Sequence, residues 1–330
     1  MSDAAACEEF LTAECDGEAY LVPSCTAALE LACMMILEPG DEVIMPSWAF
    51  PSCANAVILR GGVPVFIDVD KNLNIDPDLI EPAITSKTKA IMPLHYAGVI
   101  AQMDRICAIA DAHGLYVIED AAQAIGNWKC MGDFGTLSFH YTKNIECGQG
   151  GALIVKNELF LEKAEQMMHC GTDKLKFYRK EQNFYNWNSV GSQYVMSEHQ
   201  AKVLRINLES LQDTTEQRRQ IWSIYERSVP RVSNMASTIG NGHIFWFEMP
   251  DKWAWLDEMI EIGIPVTSHF DALHLTVPGR KYGRANGPIF NATRSMDRLV
   301  KFNTGVRDID AMNYCETIWP GCTEDTRNIL

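Results

Sequence analysis

From Tyr20 to Asn157 short apolar or β-branched runs alternate with longer stretches of helical spacing, and glycine and proline punctuate the joints. This alternation predicts βα units around a mostly parallel sheet, since parallel strands need crossover connections. The strand-like runs are Glu42 to Met45, Pro64 to Asp68, Ala90 to Leu94, Leu115 to Glu119, Thr136 to His140 and Ala152 to Lys156. Helices are predicted over Thr26 to Leu37, closed by Pro39-Gly40, and over Pro51 to Arg60, closed by Gly61-Gly62. Two more are predicted over Pro77 to Ile84 and over Met103 to His113, the last closed by Gly114.

A polar, aromatic loop from Gly171 to Gly191 follows. Ser197 and Gln200 then form a capping box, opening one long helix with apolar positions at Leu204, Leu208, Leu211, Trp222 and Tyr225. That helix is expected to bridge a large α/β domain, residues 1–205, to a smaller α+β unit, residues 206–330. The second part shows a strand-like run at His243 to Glu248 and a helix at Trp253 to Ile262, and Trp246, Trp253 and Trp255 are expected in packing. No internal repeat or low-complexity tract is visible.

Composition narrows the class. The chain has 330 residues, 47% hydrophobic and 22% charged, as a folded chain requires. A formal charge of −15 argues against nucleic acid as a partner, which calls for clustered Lys and Arg. The eleven cysteines are scattered and odd in number, so neither a disulfide framework nor a zinc site is suggested and reduced thiols are expected. The acidic opening MSDAAACEEF is unlike a secretory leader, and no apolar run reaches the roughly 18 residues of a membrane span. A cytoplasmic protein is the expectation.

Three features of the first half carry chemistry. PSCTAALELA, Pro23 to Ala32, puts hydroxyls and free backbone N–H groups at a helix start, where a phosphate is favoured, although such a start is also an ordinary N-cap. IEDAAQAIG, Ile118 to Gly126, ends a strand in carboxylates and follows with Gln123. Ligands of open α/β sheets bind at the carboxyl ends of strands, and a buried Asp120 there would hold a pyridine nitrogen protonated, unless it only caps a helix. In SFHYTKNIECGQGG, Lys143 lies between an apolar strand and a glycine turn, where desolvation eases loss of its proton and the neutral amine can condense with an aldehyde. A lone lysine is more often a surface residue, but the three together match what pyridoxal phosphate (PLP) requires.

The order SCTAALE, GDEVIMPSWAF, GGVPVFIDVD, IDPDLIEPAITSKTKAIMPLHYAG, VIEDAAQAIG and SFHYTKN resembles the DegT-type nucleotide-sugar aminotransferases, which are fold type I PLP enzymes like aspartate aminotransferase. The segment CGTDKLKFYRKEQNFYNWNSVGSQYVMSEHQAKVL further resembles the branch of dTDP-4-amino-4,6-dideoxygalactose transaminases of surface-polysaccharide pathways. The resemblance implies that Lys143 carries the cofactor and shuttles the proton, and that Asp120 pairs with the pyridine nitrogen. It further implies that Gln123 meets the ring hydroxyl, that Phe50 stacks on the ring, and that Cys25, Thr26, Ala27 and Ser138 cradle the phosphate. Substrate contacts are expected from His269, His274, Lys174 and Arg179. The implied reaction moves the amine of L-glutamate to a nucleotide-linked 4-keto-6-deoxy sugar, within a homodimer whose loop from Thr172 to Ser189 crosses to the partner.

Four departures from the family pattern bear on turnover. Relatives usually carry a segment ahead of the position of Ala6 that shapes the dimer and sugar surface, so an altered sugar pocket is expected. Gln149 replaces the usual glutamate of the glycine turn, the Trp128 to Ser138 stretch is short, and Gln193 stands where many members have asparagine. Amination at another ring carbon or on another nucleotide sugar, and a homologue that binds without turnover, are the competing readings. A sugar dehydratase is disfavoured, because relatives that dehydrate replace the lysine with histidine.

Overall fold

The computed structural model describes residues 2–229, 234–305 and 308–319. The chain opens with α1 (Asp3–Cys15), β1 (Glu18–Val22), α2 (Cys25–Ile36), β2 (Glu42–Pro46), α3 (Pro51–Ile58), β3 (Val63–Ile67), β4 (Thr88–Ile91), α4 (Met103–His113) and β5 (Tyr116–Asp120). It continues with β6 (Phe134–Ser138), β7 (Gly151–Val155), α5 (Leu161–Met168), α6 (Lys174–Tyr178), α7 (Glu198–Leu208) and α8 (Leu211–Ser228). Then come β8 (Ile244–Glu248), α9 (Lys252–Glu261), β9 (Val266–Thr267), α10 (Val277–Tyr282), β10 (Arg284–Ala285), α11 (Asn291–Arg298), β11 (Leu299–Asn303) and α12 (Asp308–Ile318).

Eight strands form one sheet in the order β1-β7-β6-β5-β4-β2-β3-β10. Only β7 runs against its neighbours, pairing antiparallel with both β1 and β6, while the remaining pairs are parallel. Strands β2, β6 and β7 are buried at every position, the mark of a sheet covered on both faces. This is the mostly parallel mixed sheet of the α/β expectation. A second, antiparallel sheet, β8-β11-β9, holds an aromatic core in which the rings of Tyr225 and Phe302 stack 4.5 Å apart.

The two sheets are tied through the chain's later part. Strand β10 pairs with β3, extending the large sheet with residues that follow β9. Beside it Asp68, just past β3, accepts from the N–H groups of Phe290 and Asn291 through Oδ2, both at 2.8 Å, and from Ala292 through Oδ1 at 3.0 Å. One buried carboxylate thus receives the unpaired donors of the α11 start. Asp68→Ala is expected to cost about 1–3 kcal/mol, since those donors lose their acceptor. Urea unfolding measures it, and an unchanged midpoint would contradict the capping role.

The structure corrects several expectations. Pro77 to Ile84 is two 3-10 turns, Pro77–Leu79 and Glu81–Ala83, because Pro82 has no N–H to donate and its ring crowds the preceding turn. The single bridging helix is two, broken at Glu209 and Ser210, where the Ser210 hydroxyl donates to the Asn207 carbonyl at 2.9 Å and competes with the helix ladder. Helix α1 was not expected. Its buried stripe is Cys7, Leu11 and Cys15 at four-residue spacing, capped by Ser2 Oγ on Ala5 N, within a segment whose acidity hid it. Trp246 is buried as expected, but Trp253 is exposed.

Candidate active site

Strands β6 and β7 run antiparallel, with Ser138 opposite Gly151, and the loop between them carries Lys143. That loop is closed on itself: Phe139 N–H bonds to Gly150 O, Tyr141 N–H to Gly148 O and Lys143 N–H to His140 O. Helix α7 braces it, with Asn207 Nδ2 donating to Glu146 O and Gln200 Nε2 to Gln149 O. Gly151 has to be glycine, since a Cβ there would lie 2.4 Å from the Cys25 backbone N. The lysine loop therefore starts and ends hard against the first turn of α2.

The Lys143 side chain is half-buried, and desolvation lowers its pKa below the ordinary lysine value, partly offset by the charge of Asp120 and by Cys25. Asp120 ends β5 with 2% of its surface exposed, in parallel register with Thr136 of β6. Its Oδ1 accepts from Ala122 N–H at 3.0 Å, and its Oδ2 from the Cys53 thiol at 2.9 Å. The Cys25 thiol contacts Oδ1 at 3.8 Å and donates to Thr136 Oγ1 at 3.4 Å. Burial, and then the charge of Asp120, push both thiols well above the usual cysteine range, so they act here as neutral donors.

At the α2 start, Ser24 Oγ accepts from Ala27 N–H at 3.1 Å. The N–H groups of Cys25 and Thr26 find no acceptor among the described residues, which leaves an opening for an anion at that end. Ser138 is buried at the end of β6. Gln123 is buried too: its Oε1 accepts from Ala97 N–H at 2.7 Å, and its Nε2 has no partner among the described residues. Phe50 caps α3 with its ring 56% exposed, 6.2 Å from the ring of Phe270.

The histidines separate. His269 stacks on Phe270, with Nδ1 3.3 Å from the Tyr96 hydroxyl, and burial together with Lys301 and Lys143 holds its pKa well below the ordinary value. His274 bonds through Nδ1 to Ser47 Oγ at 2.7 Å, on the side of Asp68. Lys174 opens α6 and Arg179 caps its end, so the expected loop from Gly171 to Gly191 contains a short helix. Arg179 is engaged bidentately by Glu165, at 2.9 and 3.0 Å, and by Glu181 at 2.8 Å, while the charge of Lys174 reaches His169.

Several residues were not singled out from the sequence. Asn144 bridges Asn241 O and His243 Nδ1, and the Arg218 guanidinium donates to Lys143 O at 3.4 Å and to Thr304 Oγ1 at 3.2 Å. Beneath Asp120, Glu119 is fully buried and accepts from four donors: His95 Nε2, Trp128 Nε1, Met131 N and Gly132 N. Lys301, in the apolar run LVKFN, carried the same signal that exposed Lys143, an ammonium where a strand wants none.

These residues fit PLP. A buried carboxylate at a strand end, a desolvated amine within its field, a free amide donor and an unpaired helix start make up the donor set for a phosphorylated pyridine aldehyde.

A model of the DegT/DnrJ/EryC1/StrS aminotransferase family matches residues 8–305. The chain is 34% identical over 281 residues to the spore coat polysaccharide biosynthesis protein SpsC of Bacillus subtilis, covering 78% of this chain and 72% of that one. Among solved structures it superposes on a DegT DnrJ EryC1 StrS aminotransferase from Brucella abortus with a TM-score of 0.85 at 26% identity, covering 96% of this chain and 89% of that one. 3-Amino-5-hydroxybenzoic acid synthase gives a TM-score of 0.85 at 26% identity, with 98% and 91% covered.

Fold, site and likeness together define a PLP-dependent sugar aminotransferase. The chain belongs to the DegT/DnrJ/EryC1/StrS aminotransferase family.

Proposed function

We propose that this enzyme moves the amine of L-glutamate to the keto carbon of a nucleotide-linked 4-keto-6-deoxy sugar, dTDP-4-keto-6-deoxy-D-glucose in the first instance, for a surface polysaccharide. The observation that carries aminotransfer is Lys143, desolvated and held within the field of Asp120 by a loop braced on α7. The name of SpsC supports the polysaccharide end of the reading.

PLP, when bound, supplies the aldehyde that takes up an amine and the ring that stores an electron pair. The chain's residues do the rest. Asp120, fixed by Ala122 N–H and the Cys53 thiol, would hold the ring nitrogen protonated, and Gln123 Nε2 would meet the ring hydroxyl. Cys25, Thr26, Ala27 and Ser138 would receive the phosphate and Phe50 would cover the ring. Lys143 Nζ, once free, would take the proton from the amine-bearing carbon and return it to the carbon on the far side of the nitrogen, a task suited to an amine whose pKa is lowered.

A homodimer is part of the reading. Phe177 and Tyr178 of α6 and Phe184, Tyr185 and Trp187 beyond it are all exposed, and a second copy would bury them. Arg179 and Lys174 would then meet the nucleotide beside that interface, with His269 and His274 toward the sugar.

Purified protein with PLP, given glutamate and then the keto sugar, tests this. Release of 2-oxoglutarate and an amino sugar of the expected mass supports the reading. Amine exchange with glutamate but an unchanged sugar would retire this substrate, and no exchange at all would favour a binding homologue.

A further inference from the structure

Two further cations near Lys143, Arg218 and Lys301, have no carboxylate partner among the described residues. Arg218 of α8 spends its guanidinium on two neutral oxygens, Thr304 Oγ1 and Lys143 O, and pairs with no carboxylate among the described residues. Lys301 lies mid-strand in β11, in register with Trp246 of β8 and Thr267 of β9, and its ammonium bonds to none of the described residues. Burial and the charge of Lys143 pull Lys301 down to about 8. His243, 5% exposed, lies within the field of both and is held neutral by burial and by the charges of Lys143, Arg218, Lys301 and His269.

The tautomer of His243 follows from its neighbours. Asn144 Nδ2 donates to Asn241 O, so its Oδ1 faces His243 Nδ1, which must carry the proton. Nε2 is left as a bare lone pair with no partner among the described residues. Desolvated cations persist when something anionic completes them; Asp120 answers Lys143, but no carboxylate among the described residues bonds to Arg218 or Lys301. The composition of the cluster, cations with one lone-pair acceptor, suits a molecule that carries a carboxylate and an amine together.

We propose that Arg218 and Lys301 seat the carboxylate of the amino-acid donor while His243 Nε2 accepts from its amine, which makes this corner the donor-specificity site. The inference rests on the aminotransfer reading above. A donor carboxylate is attached to the carbon that bears the amine, so it must lie beside Lys143. The diphosphate of a nucleotide sugar is separated from a C4 keto carbon by the sugar ring and has to lie further off.

Glutarate, which has both carboxylates and neither amine nor keto group, probes the seat without turnover. Its affinity for the PLP-loaded protein is measured calorimetrically, alongside thymidine diphosphate. Lys301→Met and Arg218→Met should each weaken glutarate by about tenfold or more, the loss of a charge-assisted hydrogen bond, and leave thymidine diphosphate unchanged. Lys301→Arg should restore glutarate binding and serves as the control where Lys301→Met unfolds. Unchanged glutarate affinity in Lys301→Met, no glutarate binding by the parent protein, or loss of thymidine diphosphate instead would each overturn the seat. The sugar assay is separate: a seat lost in Lys301→Met with no sugar aminated would retire the sugar reading and keep the seat.

Discussion

Lys143→Ala is expected to lower the rate of amine transfer by on the order of 10⁴, because it removes the group proposed both to carry the cofactor and to move the proton. PLP should still bind through the α2 start and Asp120, but without the covalent link. Single-turnover absorbance with glutamate reads the first half-reaction, and a rate within tenfold of the parent would remove Lys143 from its role. The pH dependence follows from the same burial. A lowered pKa means more neutral amine at a given pH, so the rate at which the apoprotein captures PLP should level off below the ordinary lysine value of 10.5. The negative charge of Asp120 favours the ammonium, so Asp120→Asn should move that inflection lower still.

Glu119→Ala is expected to be the largest loss of stability, about 3–5 kcal/mol, because four donors, three of them in buried bonds, lose their shared acceptor. The acceptor sits one residue from Asp120, so the same change should loosen that carboxylate as well. Burial works to raise the Glu119 pKa, but hydrogen bonds from His95, Trp128 and Gly132 outweigh it and hold it below 4.5. A depressed carboxyl contributes stability above its unfolded value and loses it as pH falls through the folded one. Parent protein should therefore lose stability as pH drops below 4.5, and Glu119→Gln should lack that part of the slope. Equal acid slopes in the two proteins would contradict the assignment.

Six strands of the large sheet, β2 to β7, were legible because they are apolar runs bounded by turn residues, whereas β1 and the two-residue β10 at its edges were not predicted. Lys143 and Asp120 were legible because each interrupts such a run with a charge. The rest depended on contacts far apart in sequence. Glu119 stood in view beside Asp120, but its donors come from His95, Trp128 and the turn after it. Arg218 and His243 reach the lysine loop from α8 and the start of β8, segments that sequence periodicity reads only as packing. Arg179 was expected on charge alone, and its acidic neighbours Glu165 and Glu181 show what charge alone omits.

The seating of β10 on β3 has a consequence for how the chain is made. As it leaves the ribosome, β3 emerges early and keeps an open, apolar flank until residues 284–285 are synthesised and find it. Until then Val63–Ile67 is a naked edge that a neighbouring nascent chain can pair with. Chaperone demand, and loss to aggregates on overexpression, should therefore track the time between those two strands, and premature stops ahead of residue 284 should yield insoluble products although Lys143 and its loop are already made.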